Sequence, residues 1–544
     1  MSTMRTWAAI GAIGAMTSIA PLRADSGVDR VLATIDSAGP GCVAGVQVGD
    51  AAPAFGAAGR ADLEHAVPIG VESVFEAGSV SKQFTAAAVA VLASEGRLSL
   101  DADIRRYLPE LPAYAVSIRV RQLLQHTAGL RDYGDLADLA GRPRGRYAYT
   151  MTEVLALLAR QRRTNAPPGT EYLYSNSHYV LTALIVERVS GRSLAAFTRS
   201  ALFEPIGMRH STWRGDFAAV VPGRATAYTP DAAGRMRQDM PFEDVVGHAG
   251  LLTTVPDLLA WNRALAAPTP QQAPWVALLH ARGALADGLP IDYALGLELS
   301  EPGAPPRYTH AGATAGYRAF LGRDPATRTS VALLCNAGAI DSQALGPQLA
   351  DAFRVEPAVA PAIAPAPPDR TGSAPPVGRY RIRASGVPVT IEADREGLRT
   401  GGSVYRPYGP DRWLRSDGRR TLGVERAQPD RVQLRLTRPG NADQLLDPVA
   451  DWTPSAAALA GFVGRYRSAE VDAMQTVAVD GRGLTVTGPD LAVLHATPVY
   501  ADTFGTDGGW LIAFRRDAGG RVEGFEASRP RTRGVAFERV SAPR

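Results

Sequence analysis

Ser79 and Lys82 stand three residues apart in Phe75-Glu76-Ala77-Gly78-Ser79-Val80-Ser81-Lys82-Gln83-Phe84-Thr85, directly before the apolar run AAAVAVLASEG. A serine hydroxyl is a poor nucleophile at neutral pH, and a lysine can take its proton only where burial lowers the lysine pKa. The run reads as a helix that Gly96 caps at its C-terminus, so Ser79 lies at or just inside the helix start and Lys82 projects from the same face. The helix start also offers backbone N–H groups to a developing oxyanion. Lys82 is the single lysine of the chain, beside 57 arginines. A GC-rich codon supply explains the imbalance, and the retained lysine marks a position where an arginine, which does not release its proton, would not serve. Alone, the pair reads more simply as a capping serine and a solvated lysine; two further motifs decide against that.

The first of these is Glu171-Tyr172-Leu173-Tyr174-Ser175-Asn176-Ser177, after the turn Pro167-Pro168-Gly169-Thr170 and before the apolar run YVLTALIVERVSG. Tyr174 and Asn176 enter a helix two residues apart and can face one cleft, the phenol as a proton relay and the amide as a ligand for a substrate peptide group. The second is Tyr308-Thr309-His310-Ala311-Gly312-Ala313, a strand ending in small residues beside the turn Ala315-Gly316-Tyr317. Those small residues let a substrate lie along the strand edge, and the Ala313 N–H can join that of Ser79 in an oxyanion hole.

The elements that position these residues divide at a composition shift. Residues 25–355 alternate helix-like and strand-like segments; Glu356 to Pro376 is a stiff Pro/Ala linker; beyond it, short alternating runs such as RVQLRLTR and GWLIAFRRD read as all-β. Val377-Gly378-Arg379-Tyr380-Arg381 recurs as Val463-Gly464-Arg465-Tyr466-Arg467, 86 residues later. The spacing predicts two compact antiparallel β-barrels, 377–452 and 453–544, with one larger sandwich as the alternative. Residues 1–24 read as a cleaved export signal: a positive n-region ending at Arg5, an apolar stretch from Trp7, and a small residue at Ala24. That stretch is shorter than the ~20 residues of a membrane span. Cys42 and Cys335 lie in strand-like runs; they can pair if those strands are neighbours, or remain buried thiols. A net charge of +4 with scattered arginines is no nucleic-acid footprint, and no metal-ligand spacing or phosphate loop implies a metal or cofactor.

Taken together, Ser79-x-x-Lys82, Tyr174-x-Asn176 and His310-x-Gly312 resemble the three active-site motifs of the penicillin-recognising serine hydrolases. These include class C β-lactamases, D-alanyl-D-alanine carboxypeptidases, related esterases and D-aminopeptidases. Leu123-Leu124-Gln125-His126-Thr127-Ala128-Gly129-Leu130 and Gly247-His248-Ala249-Gly250-Leu251 also resemble family segments. The resemblance implies an α+β catalytic domain, a five-stranded antiparallel sheet with flanking helices and a helical region, holding the site between them. It implies Ser79 as acylated nucleophile, Lys82 as base and Tyr174 as proton relay. Asn176, His310 and Gly312 become substrate ligands, and the Ser79 and Ala313 amides the oxyanion hole. His310 stands where lactamases and carboxypeptidases usually carry Lys, which weakens the fixed charge for a substrate carboxylate and favours aminopeptidase, amidase and esterase readings.

The layout is similar to bacterial D-aminopeptidases, with Gly129-Leu130-Arg131-Asp132-Tyr133 and, in the last barrel, Gly464-Arg465-Tyr466-Arg467-Ser468 and Ala513-Phe514-Arg515-Arg516-Asp517. In that family a loop of the last barrel carries an acidic group into the cleft. Here the connection from Tyr500 to Trp510 is shorter, which implies a loop that stops short and a more open site. The expectation is an exported, cofactor-free acyl-enzyme hydrolase of D-residue peptides or amides acting on a small molecule or short peptide. Its alternatives are an esterase or class C-like β-lactamase, and a binding protein for a cell-wall or lipid ligand.

Overall fold

A computed structural model describes residues 27–353 and 376–540, apart from 417, 419, 429–430, 439–440, 482 and 489–492 in the loops and turns of the C-terminal part. The export signal at 1–24 and nearly all of the 356–376 linker lie outside the described residues.

The N-terminal sheet is antiparallel, in the order Glu298–Leu299, Tyr308–Thr314, Tyr317–Asp324, Thr329–Cys335, Cys42–Val48, Ala54–Ala58. It has six strands rather than the five anticipated, because the two-residue strand Glu298–Leu299 pairs with Tyr308 and Thr309. From His310 onward that flank of the strand has no strand partner among the described residues and faces the Ser79 turn. The central strand Thr329–Cys335 is buried throughout, and Cys42–Val48 nearly so, as strands covered by helices on both faces must be. Their register sets Cys42 opposite Cys335, and the two cysteines form a disulfide.

The helix Ser81–Ser94 runs through the core: twelve of its fourteen residues are buried, which explains why it is apolar all round rather than striped. Its C-terminus closes as expected at Gly96, with φ +71° and the Gly96 N–H donating to the Ala93 carbonyl at 3.0 Å.

Beyond the linker the chain forms two closed eight-stranded antiparallel barrels, Gly378–Pro448 and Gly464–Val540. The repeated VGRYR segment supplies the first strand of each, and each first strand closes its barrel against the eighth. Its tyrosine is buried in both copies and donates to the carbonyl four residues back, Tyr380 to Pro376 and Tyr466 to Phe462. The repeat thus encodes a barrel closure. The two barrels differ in attachment: the first keeps a separate apolar core, whereas the core of the second is continuous with that of the N-terminal domain.

Among the described residues no helix is long and apolar enough to cross a membrane, and no group of three or more His, Cys, Asp or Glu side chains is placed to hold a metal ion.

Candidate active site

Ser79 lies in the 3-10 turn Gly78–Val80 that leads into the helix Ser81–Ser94, and it is half-buried. Lys82, fully buried one turn on, places Nζ 3.1 Å from Ser79 Oγ, 3.0 Å from Asn176 Oδ1 and 2.8 Å from the His248 carbonyl. Two of these three partners, the Asn176 amide oxygen and the His248 carbonyl, can only accept. A neutral amine has two N–H bonds and one lone pair. If the two N–H bonds serve those acceptors, the lone pair is left facing the Ser79 hydroxyl. Burial drives the Lys82 pKa well below its ordinary value, and the nearby Arg531 and Arg144 charges push it the same way against Asp132. The amine is thereby suited to take a proton from Ser79.

Tyr174 donates to Ser79 Oγ at 2.9 Å, and its ring lies 4.8 Å from Lys82 Nζ. Burial raises the Tyr174 pKa, so the phenol keeps its proton. The buried ring of His126 packs against Tyr174 with centroids 4.2 Å apart. Asn176 opens the helix Asn176–Ser190, whose cap comes from elsewhere: the Asp132 carboxylate accepts the Asn176 N–H at 2.7 Å and the Gly134 N–H at 2.9 Å. With its Oδ1 committed to Lys82, Asn176 retains the amide N–H bonds for a substrate carbonyl. The His248 carbonyl is positioned by the helix itself, through Ser81, which accepts from Leu251 N, and Thr85, which donates to the Gly247 carbonyl.

The third motif is brought alongside the Ser79 turn. Gly312 is buried against the Ser79 turn, where an added Cβ would lie 2.1 Å from the Ala77 carbonyl oxygen. Gly78, at φ +51°, meets the same strand from the other side, with an added Cβ 2.6 Å from Ala313 N. The two glycines let backbone approach backbone. Ala313 itself is exposed, beside the turn that carries Ser79. His310 is 2% exposed. Its Nδ1 lies 2.7 Å from the Ala311 carbonyl and therefore carries the hydrogen, while Nε2 accepts from Tyr293 at 3.0 Å. Burial lowers its pKa to about 3. Both His310 nitrogens are thus engaged within the protein, and the ring carries no charge.

The second barrel also reaches the site. The segment Tyr500 to Trp510 forms hairpin turns within that barrel, and no hydrogen bond or ring contact joins it to Ser79, Lys82 or Tyr174 among the described residues. The turn between Val522–Arg529 and Thr532–Val540 does so instead, with the Arg531 guanidinium 4.8 Å from the Tyr174 ring centroid. Its docking partner is Arg131-Asp132-Tyr133. Arg131, 1% exposed, donates to the Arg533 and Gly534 carbonyls, to Gln161 and to Glu470 at 2.7–3.0 Å. Asp132 N donates to the Arg531 carbonyl and Thr532 Oγ1, both at 3.2 Å. Tyr133 OH is 2.9 Å from Glu243 and 3.1 Å from His248. Three consecutive residues thus connect the barrel, the Asn176 helix and the His248 turn. Tyr293 and Arg531 were not named from the sequence, and Asp132 only within the Gly129–Tyr133 segment, the one signal pointing toward the barrel turn.

Residues 28–352 match the Beta-lactamase family model. The chain belongs to the β-lactamase family. Among curated relatives, this β-lactamase-family chain is 27% identical over 500 residues to a D-aminopeptidase of Brucella melitensis, covering 89% of this chain and 92% of that protein. It is 28% identical over 534 residues to a D-aminopeptidase of Cereibacter sphaeroides, covering 94% and 99%. Among solved structures, D-amino acid amidase from Ochrobactrum anthropi SV3, complexed with D-phenylalanine, covers 60% of this chain and 97% of its own at TM-score 0.52 and 21% identity. SurE with D-Leu covers 94% and 98% at TM-score 0.50 and 20% identity. At these identities the structural likeness is one of fold.

Proposed function

We propose that the chain is an exported serine hydrolase that forms an acyl-enzyme on Ser79 and cleaves D-residue amides and short peptides. The observation that carries the reading is a fully buried lysine amine 3.1 Å from a serine hydroxyl that also accepts from a tyrosine at 2.9 Å. Neutral Lys82 takes the Ser79 proton as Oγ attacks the substrate carbonyl. The Ser79 and Ala313 N–H groups receive the oxyanion. Collapse of the tetrahedral adduct breaks the scissile C–N bond, and the proton reaches the departing nitrogen through Tyr174. Water then attacks the ester, with its proton taken up through Tyr174 and Lys82, and Ser79 is regenerated. Preference for D-residues is supported by the relatives named D-aminopeptidase. Export is supported by the apolar N-terminal run after Arg5 and by the Cys42–Cys335 disulfide, a bond that persists in oxidising compartments. A neutral, buried His310 offers no fixed charge to a lactam carboxylate, which sets amides ahead of β-lactams.

The test is labelling with an active-site serine reagent and location of the adduct by mass spectrometry. A panel of D- and L-aminoacyl amides, p-nitrophenyl esters and a chromogenic cephalosporin accompanies it. An adduct on Ser79 and fastest turnover of D-residue amides are expected. An adduct elsewhere overturns the mechanism, and inertness to the whole panel favours a binding protein.

A further inference from the structure

Three arginines of one barrel turn differ in their partners. Arg529 pairs with Asp135 and Asp138, and Arg533 holds Glu171 through two hydrogen bonds at 2.8 and 2.9 Å. Arg531, between them, is exposed, and among the described residues its guanidinium makes no hydrogen bond or ion pair. The acid whose backbone meets the Arg531 carbonyl, Asp132, is already committed, since both its oxygens accept backbone N–H groups. The backbone of Arg531 is nevertheless fixed, its carbonyl accepting from Asp132 N at 3.2 Å and Asn165 Nδ2 at 2.8 Å. A rigid turn therefore holds an unpaired cation against Tyr174, 4.8 Å from its ring centroid. A guanidinium resting on a ring keeps its in-plane N–H groups open to a carboxylate. Because Tyr174 is the group placed to protonate the departing nitrogen, a cation over its ring stands beside the departing half of the substrate.

We propose that Arg531 is a specificity-determining residue that receives a free carboxylate on the leaving residue, so that the preferred substrates are short peptides ending at that residue rather than simple amides. This rests on the serine hydrolase reading above and adds which D-residue compounds are chosen. A charge-assisted pair of this kind corresponds to roughly 10- to 100-fold in kcat/KM.

The test compares D-alanyl-D-alanine with D-alanyl-D-alaninamide, which differ only in the terminal carboxylate, measuring cleavage of the same peptide bond. Wild type is expected to prefer the acid at least roughly tenfold, and Arg531→Ala to bring the ratio to near one, with Arg531→Lys between them. Unfolding temperature is expected to stay unchanged in Arg531→Ala, because the side chain forms no hydrogen bond there. A preference that survives Arg531→Ala, or its absence in wild type, overturns the proposal. So does an Arg531-dependent preference for a carboxylate on the acyl side, measured with N-succinyl- and N-acetyl-D-alanine p-nitroanilides. Calorimetric binding of the same dipeptides to Ser79→Ala, with and without Arg531→Ala, reads the contact without turnover. Tighter, Arg531-dependent binding of the acid upholds the proposal even if the acyl-enzyme reading fails, and equal binding of acid and amide overturns it.

Discussion

Replacing Gly312 by alanine tests whether the Ser79 turn and the strand beside it are held at one backbone spacing. The new Cβ would begin 2.1 Å from the Ala77 carbonyl oxygen and 3.2 Å from the Ala319 side chain. Ordinary contact with a carbonyl oxygen requires about 3.2 Å, so strand and turn must separate by about 1 Å, a strain costing about 1–3 kcal/mol when a packed interior is overfilled. The separation falls between Ala77 and Gly312, immediately before Ser79 and Ala313, whose amides form the proposed oxyanion hole. Misplacement by about 1 Å costs about 10²-fold, and loss of one donor about 10²- to 10³-fold. The assay is the single-turnover rate of Ser79 acylation by a p-nitrophenyl ester, with calorimetric unfolding of the same sample. A 10²-fold slower acylation in a protein that still unfolds cooperatively is expected. A folded Gly312→Ala protein acylating within threefold of wild type would refute the assignment of Ala313 as a donor.

Lys82→Arg keeps a cation but removes the group able to accept a proton, and acylation is expected to fall roughly 10²- to 10⁴-fold in stopped-flow measurements. Acylation should rise with pH as Lys82 deprotonates, through a midpoint well below the usual lysine value. Since Arg531 helps to lower that pKa, Arg531→Ala should shift the midpoint upward in a pH–rate profile. Burial lowers His178 and His310 to about 3 and His248 to about 4. Below pH 6.5 the unfolded chain therefore binds protons that the folded chain refuses, and each histidine removes about 1.4 kcal/mol of stability per pH unit until its folded pKa is reached. Unfolding temperature should accordingly drop as pH falls from 6.5 toward 4. Arg131→Ala would leave the Glu470 carboxylate without its buried partner, for which about 3–5 kcal/mol is lost; a lower denaturant midpoint and faster proteolysis at the barrel junction are the readouts.

The residues around Ser79 were legible because their spacing is local. A serine and lysine one helical turn apart, and a tyrosine and asparagine at a helix start, declare their geometry within a few residues. The barrels were legible because a repeated tyrosine closes each one. Arg531 was hidden for the opposite reason: it meets Tyr174 across more than 350 residues, and composition hides it among 57 arginines. His310 and Gly312 were placed in the right strand, but a sequence pattern does not reveal that Tyr293 meets the His310 ring or that the Ala77 carbonyl packs on Gly312. The cysteine question depended on strand register, which sets Cys42 opposite Cys335 and which neither flanking run encodes on its own.

The docking of the last barrel turn on Arg131 and Asp132 has a consequence for biosynthesis. A ribosome completes Ser79, Lys82 and Tyr174 hundreds of residues before it reaches Arg531. A nascent chain can therefore carry the nucleophile and its base while the proposed selector for the leaving residue has not yet been made. Synthesis order then separates the making of the reacting groups from the making of the group that chooses among substrates.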